Sequence, residues 1–398
     1  MAGMTHRERV LTALSHREPD RVPVDLGATR ATSIVVQAYE RLNSYLGAQD
    51  PPRIFSKWLN IAHPGQAMLA RFDIDTRSVS QGSPDNWQDV IYEDGASYQD
   101  EWSVVRSRPA GSLYYDLTKP PFRGDATAAD VEKFPWPDPH DPGRCRGLAE
   151  TARRLHQETD YAVVLNMPGG IVHQAQFLRG FEDWFADLID NPAFFQALME
   201  KLVDLWIEMA RDEFDAVGEN ADLCFYGDDM AFQDGPMMSM DHYRKMIKPH
   251  HRRLFGYIKS RSNAKIVYHT CGSAAHLIPD LIEMGVDALN PVQVSAKGMD
   301  SKALKREFGT DLCFWGAIDT QRVLPFGNPE DVKAEVRRRI EDLAPGGGYV
   351  LCAVHNIQAD VTPENICAMY DAAREFGRYR GGGGAIGRSG ERWTIERE

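Results

Sequence analysis

From about residue 160 onward the chain repeats one rhythm: a short apolar run, a polar residue at its end, then a long amphipathic stretch. Tyr161-Ala-Val-Val-Leu ends on Asn166, Leu223-Cys-Phe-Tyr on Gly227-Asp228-Asp229, and Lys265-Ile-Val-Tyr on His269. Asp287-Ala-Leu ends on Asn290, Leu312-Cys-Phe-Trp on Gly316 and Asp319, and Gly348-Tyr-Val-Leu on Cys352 and His355. Unbroken apolar runs of this length predict strands buried on both faces, and the stretches between them predict crossover helices. Two of those helices have clear starts, because Asn191-Pro192 and Asn328-Pro329 each supply a capping side chain followed by a proline with a pre-set φ. Strand, polar residue, helix, repeated about eight times when an early strand near Asp20–Gly27 is included, predicts a closed (β/α)8 barrel of the TIM type. The near-duplicates Asp222-Leu-Cys-Phe-Tyr-Gly and Asp311-Leu-Cys-Phe-Trp-Gly then read as two similar barrel strands.

The first part of the chain has a different texture. Residues 1–20 predict a short amphipathic helix with Val10, Leu11 and Leu14 on one side and a capping box from Thr5 and Glu8. Between about 85 and 122, apolar and polar residues alternate around glycine turns, which is hairpin patterning. Pro135, Pro137, Pro139 and Pro142 make a stiff connector. The expected organisation is an N-terminal helix and β-hairpin elaboration over 1–150, packed on the main part of the barrel at 151–380. A Gly-rich, then charged segment at 381–398 predicts a disordered tail.

At 398 residues the chain can hold one large barrel with insertions. Its net charge of −13 and the lack of any Lys/Arg stripe argue against nucleic acid and anionic membranes as partners. The apolar runs are too short to span a bilayer, and the first ten residues carry no apolar signal core. Six cysteines in so long a chain are too few for a disulfide framework. A cytoplasmic protein with free thiols is expected, with a homodimer among the expected assemblies.

Those thiols bring in chemistry. His269-Thr-Cys271 offers nitrogen and sulfur two residues apart on the lip of a strand, and Cys352 ends another. A lone histidine or cysteine at a strand end is ordinarily packing. Three that converge would hold one soft metal ion and leave a fourth position open, the pattern of catalytic zinc. Closing the barrel would bring 269, 271 and 352 to one cavity, with His355 either replacing Cys352 as ligand or serving as acid or base. Of Asp228 and Asp229, adjacent in extended backbone, one should enter the cavity and orient substrate or a ligand histidine. Asn166, Asn290, Gln293 and Asp319 are the expected substrate-binding residues, and Asn166-Met-Pro-Gly-Gly is a candidate small-molecule loop. Met230, Met237, Met238 and Met240 read as a packing wall, and Pro345-Gly-Gly-Gly as a turn, since it precedes a strand rather than opening a helix.

Several segments together resemble the uroporphyrinogen decarboxylase superfamily. They are Gly227-Asp-Asp-Met, Gly235-Pro-Met-Met-Ser-Met-Asp-His-Tyr, His269-Thr-Cys-Gly-Ser and Gly285-Val-Asp-Ala-Leu-Asn-Pro-Val-Gln293. Phe314-Trp-Gly-Ala-Ile-Asp-Thr, Val354-His-Asn-Ile-Gln-Ala-Asp-Val-Thr-Pro-Glu-Asn and the opening Thr5-His-Arg-Glu-Arg-Val-Leu-Thr-Ala-Leu are similar as well, so the likeness spans most of residues 4–378. The superfamily contains decarboxylases and zinc methyltransferases that work with corrinoid proteins. After Val22-Pro-Val-Asp the chain lacks the Arg-rich segment with which the decarboxylases bind porphyrinogen carboxylates. His269, Cys271 and Cys352 follow the order of the methyltransferases' zinc ligands. The resemblance therefore implies a zinc-dependent methyltransferase moving a methyl group between a small methylated compound, an O-methyl ether, and a separate corrinoid protein, with Asp228, Asp229 and His355 as catalytic groups. The alternative it implies is a metal-free decarboxylase or lyase.

Overall fold

The computed structural model describes residues 3–379, so the expected tail at 381–398 lies outside the described residues. Seven parallel strands form one curled sheet: β1 (Thr76–Ser80), β2 (Ala162–Asn166), β3 (Leu223–Gly227), β4 (Lys265–His269), β5 (Ala288–Asn290), β6 (Cys313–Ile318) and β7 (Tyr349–Ala353), side by side in chain order. The eighth position is taken by residues 23–25, where the early strand was expected. Val24 makes a parallel bridge to Leu351 on one edge, and its carbonyl accepts from the Asp75 N–H on the other. The sheet edges thereby meet, and the TIM-barrel-like fold stands as expected.

The strands are apolar throughout because both faces are covered. Val164, Val267, Trp315 and Val350 pack inside the barrel, while the opposite faces meet the helices. Helix His6–Ala13 carries the expected Thr5–Glu8 capping box and sends Val10, followed by Leu14, into that inner cluster. Asn191 caps helix Pro192–Val217 by accepting from the Phe194 N–H. No helix among the described residues is long and apolar enough to cross a membrane.

Two small antiparallel sheets sit on this frame. The hairpin patterning resolves into four strands, Val90–Ile91, Ser97–Gln99, Val105–Ser107 and Asp116–Lys119. A three-stranded sheet from Ile34–Val35, Arg53–Ser56 and Ile61–His63 was not foreseen, since its strands are too short to show a period.

Helix Pro192–Val217 buries one costly group. Glu213 is 1 % exposed, and neither carboxyl oxygen has a hydrogen-bond partner. Burial pushes its pKa up to about 8, with the Arg30 charge opposing. The unfolded chain ionises near 4.5, so it binds fewer protons than the folded one between there and 8, and stability falls as pH rises through that window. Glu213→Gln lacks this loss. Urea unfolding of wild type and variant should therefore diverge in favour of the variant from pH 5 to pH 8, and parallel curves would refute the assignment.

Candidate metal centre and active-site cavity

Because all seven strands run the same way, their C-terminal ends share one mouth. On β4, His269 faces Gly227 of β3, and a Cβ at Gly227 would press on the His269 Cβ at 3.2 Å, so the glycine makes room for the ring. His269 Nδ1 lies 2.6 Å from Asn290 Oδ1, and the Asn290 amide nitrogen donates to the Trp315 carbonyl. That orients the amide oxygen toward the ring, puts the proton on Nδ1 and leaves Nε2 as a bare donor.

Past His269 the chain turns sharply. Gly272 has φ +90°, and a Cβ there would stand 2.6 Å from two backbone carbonyls. The turn is fastened by the Cys271 N–H on Asp229 Oδ1 at 2.7 Å and the Gly272 N–H on Gln293 Oε1 at 2.7 Å. It carries Cys271 Sγ to 3.5 Å from His269 Nε2. His355, two residues beyond β7, brings its ring centroid to 5.5 Å from that of His269. One donor atom from each of His269, Cys271 and His355 lies within 4.8 Å of the others. Donors on one tetrahedral ion stand about 3–4 Å apart, which the sulfur–nitrogen pair already meets. Burial lowers both histidine pKa values, that of His355 to about 4 with help from the His269 charge, and neutral rings are what a cation needs. Burial also raises the Cys271 thiol well above its ordinary value.

The two aspartates part company as extended backbone requires. Asp229 enters the cavity, with Oδ1 3.8 Å from His269 Nε2 and Oδ2 3.5 Å from His173 Nε2. Burial works against both charges of that pair, yet their mutual attraction wins: His173 rises to about 9 and Asp229 falls well below the carboxylate range. Asp228 turns away and is fully buried. It accepts from the Val172 and His173 N–H groups at 3.1 and 2.9 Å, from the Tyr226 hydroxyl, and lies 3.0 Å from His251 Nε2. It ties helix Ile171–Arg179 to the sheet and is a positioning residue, not the catalytic group expected.

Cys352 is likewise displaced from its expected role. It is absent from the donor group, which holds His355 instead. Within β7 it points into the packed barrel beside Val350 and Trp315, 1 % exposed, and its thiol donates to the Ala353 carbonyl at 3.1 Å. The chain rises over the strand ends only after leaving β7, which is why the residue three positions later arrives at His269.

The four expected substrate-binding residues serve the scaffold. Asn166 joins the Arg30 N–H to the Ala28 carbonyl, Asn290 orients His269, Gln293 holds the Cys271 turn, and Asp319 accepts from the Gln321 and Arg322 N–H groups. None of them lines the cavity over the donor group, a space of about 520 Å3. His269, His355 and Asp229 form its floor, and the loop Met167–Gly170, flagged in the sequence, forms a wall with His173 and Phe177. Its roof is the hairpin sheet, through Tyr98, Asp100, Trp102 and Arg106. His173 and the roof were missed. His173 had a signal, lying in the first turn of the helix after the flagged loop; the roof had none, because alternation shows which residues share a face but not what that face covers.

Residues 114–376 match the family model described as uroporphyrinogen decarboxylase (URO-D). Curated relatives include the uroporphyrinogen decarboxylase of Methylococcus capsulatus, 24% identical over 265 residues that cover 64% of this chain and 70% of that protein. Another is that of Alkalilimnicola ehrlichii, 23% identical over 259 residues, covering 63% and 67%. Among solved structures, a methyltransferase from Methanosarcina mazei superposes with a TM-score of 0.63, covering 94% of this chain and 99% of its own at 20% identity, a likeness of fold. With about two thirds of its length matched by that family model, this chain belongs to the uroporphyrinogen decarboxylase family.

Proposed function

We propose that this enzyme of the uroporphyrinogen decarboxylase superfamily is a zinc-dependent methyltransferase, moving a methyl group between a small O-methyl compound and a corrinoid carried by a separate cytoplasmic protein. The observation that carries the reading is a soft nitrogen–nitrogen–sulfur donor group, His269, Cys271 and His355, two of whose members, His269 and His355, line the floor of a cavity of small-molecule size. Three soft ligands suit zinc and leave one position toward the cavity. When bound, zinc would supply Lewis acidity toward the heteroatom that bears the methyl group. The chain's own residues set the stage. Asn290 keeps His269 Nε2 free of a proton, Asp229 holds the Cys271 turn, and His173 beside Asp229 holds a proton at the cavity wall.

The test is metal analysis of protein purified without chelator, followed by methyl transfer from methoxy compounds to cob(I)alamin, read from the cobalamin spectrum. Near-stoichiometric zinc and donor-dependent methylcobalamin are expected; protein that takes up no zinc when offered it overturns the reading. A metal-free decarboxylase is the second reading, favoured by the activity named for the curated relatives and by the Asp229–His173 pair as a proton carrier. Coproporphyrinogen formation from uroporphyrinogen would establish it, and we expect none.

A further inference from the structure

Arg106 stands on the hairpin strand Val105–Ser107, upstream of the segment matched to the family, and its side chain lines the cavity roof. It is 6 % exposed, yet among the described residues its guanidinium makes no hydrogen bond. The nearest carboxylate oxygen, on Asp100, is 3.6 Å from Nε, and the other Asp100 oxygen is committed to the Trp102 and Val104 N–H groups. A guanidinium carries five donors in a planar fork, and here, beyond the ion pair with Asp100, that fork is left open to the cavity it lines. The cavity's other carboxylates have their own cations: Asp89 has Lys57 at 3.2 Å and Asp229 has His173 at 3.5 Å. Arg30, also lining the cavity, gives one N–H to the Pro168 carbonyl and has no other side-chain partner among the described residues.

The surroundings of Arg106 are aromatic. Its guanidinium carbon lies 4.2 Å from the Phe177 ring centroid and 5.3 Å from that of Trp58, and those two rings meet edge to face at 5.7 Å. Flat apolar walls with one forked cation suit a flat ring that carries a planar anion.

We propose that the cavity takes an aromatic carboxylic acid, with Arg106 gripping the carboxylate at the roof, Trp58 and Phe177 flanking the ring, and the methoxy substituent directed to His269 and His355 on the floor. The methoxy group rests on the methyl-transfer reading; the anion anchor does not. Arg106 is here a specificity-determining residue, and the hairpin sheet is what gives this chain its own substrate.

Isothermal titration of the full chain as purified tests this with three probes: 4-methoxybenzoate, its neutral counterpart 4-methoxybenzyl alcohol, and non-aromatic methoxyacetate. In the wild type the benzoate should bind at least tenfold tighter than either other probe, and equal binding of benzoate and alcohol overturns the anchor without any variant. Arg106→Gln should erase the benzoate's advantage while leaving the alcohol's Kd within about twofold, and Arg106→Lys should restore part of it. Equal weakening of benzoate and alcohol in a folded Arg106→Gln protein overturns the assignment. Acid binding without methyl transfer would sink the proposed function and leave the anchor standing. Methyl transfer from the alcohol with no preference for the acid would do the reverse.

Discussion

His355→Ala is expected to strip the protein of zinc, and Cys352→Ala is expected to keep it. His355 supplies one of three clustered donors and has no hydrogen bond among the described residues, so its loss removes a ligand and little else. Disturbing a residue that merely orients a ligand costs about 10–100-fold in metal affinity; removing a ligand should cost more, at least about 100-fold, and methyl transfer should fall with it. Cys352 sits inside the barrel against Val350 and Trp315, so truncation leaves a small void worth about 1 kcal/mol of stability and no change in metal content. Zinc titration against a chromophoric chelator reads both variants. If Cys352→Ala loses the metal while His355→Ala retains it, the ligand set assigned here is wrong.

Asp228→Ala should be the most destabilising single change at the site, and Asp229→Ala one of the least. Asp228 is buried and satisfies two backbone N–H groups and the Tyr226 hydroxyl, with His251 alongside. Removing it strands several buried donors at about 1–3 kcal/mol each, for a total of about 3–5 kcal/mol after partial relaxation. Gly170 underlines how tight this junction is, since a Cβ there would lie 1.8 Å from Asp228 Oδ1. Asp229 is half-exposed to the cavity and braces the Cys271 turn. Its removal should cost about 10–100-fold in metal affinity, as for other residues that orient ligands, with about 1 kcal/mol or less in stability. Urea denaturation followed by circular dichroism separates the two, and equal midpoints would show that the adjacent carboxylates do not divide their labour.

Much of the fold was legible because its physics is local. Strands covered on both faces must be apolar end to end, so the runs before Asn166, His269 and Cys352 announced β2, β4 and β7, and marked the ends of the first two. Caps work within one turn, so Thr5–Glu8 and Asn191–Pro192 were readable as helix starts. The His269–Cys271 pair was readable too, two residues apart at a strand end. Its third partner was readable only as one of two, Cys352 or His355. Cys352 and His355 are three residues apart, and the direction of a side chain beyond a strand end depends on a turn that long-range contacts set. The alternation rule placed one of Asp228 and Asp229 in the cavity; only the docking of helix Ile171–Arg179 decided that Asp229 was the one. Arg106 and His173 reach the site from elements that pack onto the barrel mouth from outside it. The sequence by itself determined most of the barrel strands and two of the three clustered donors, because those follow from neighbours along the chain, while Thr76–Ser80 went unread. Which residues complete the site was decided by tertiary structure alone, because convergence of distant segments is a property of packing.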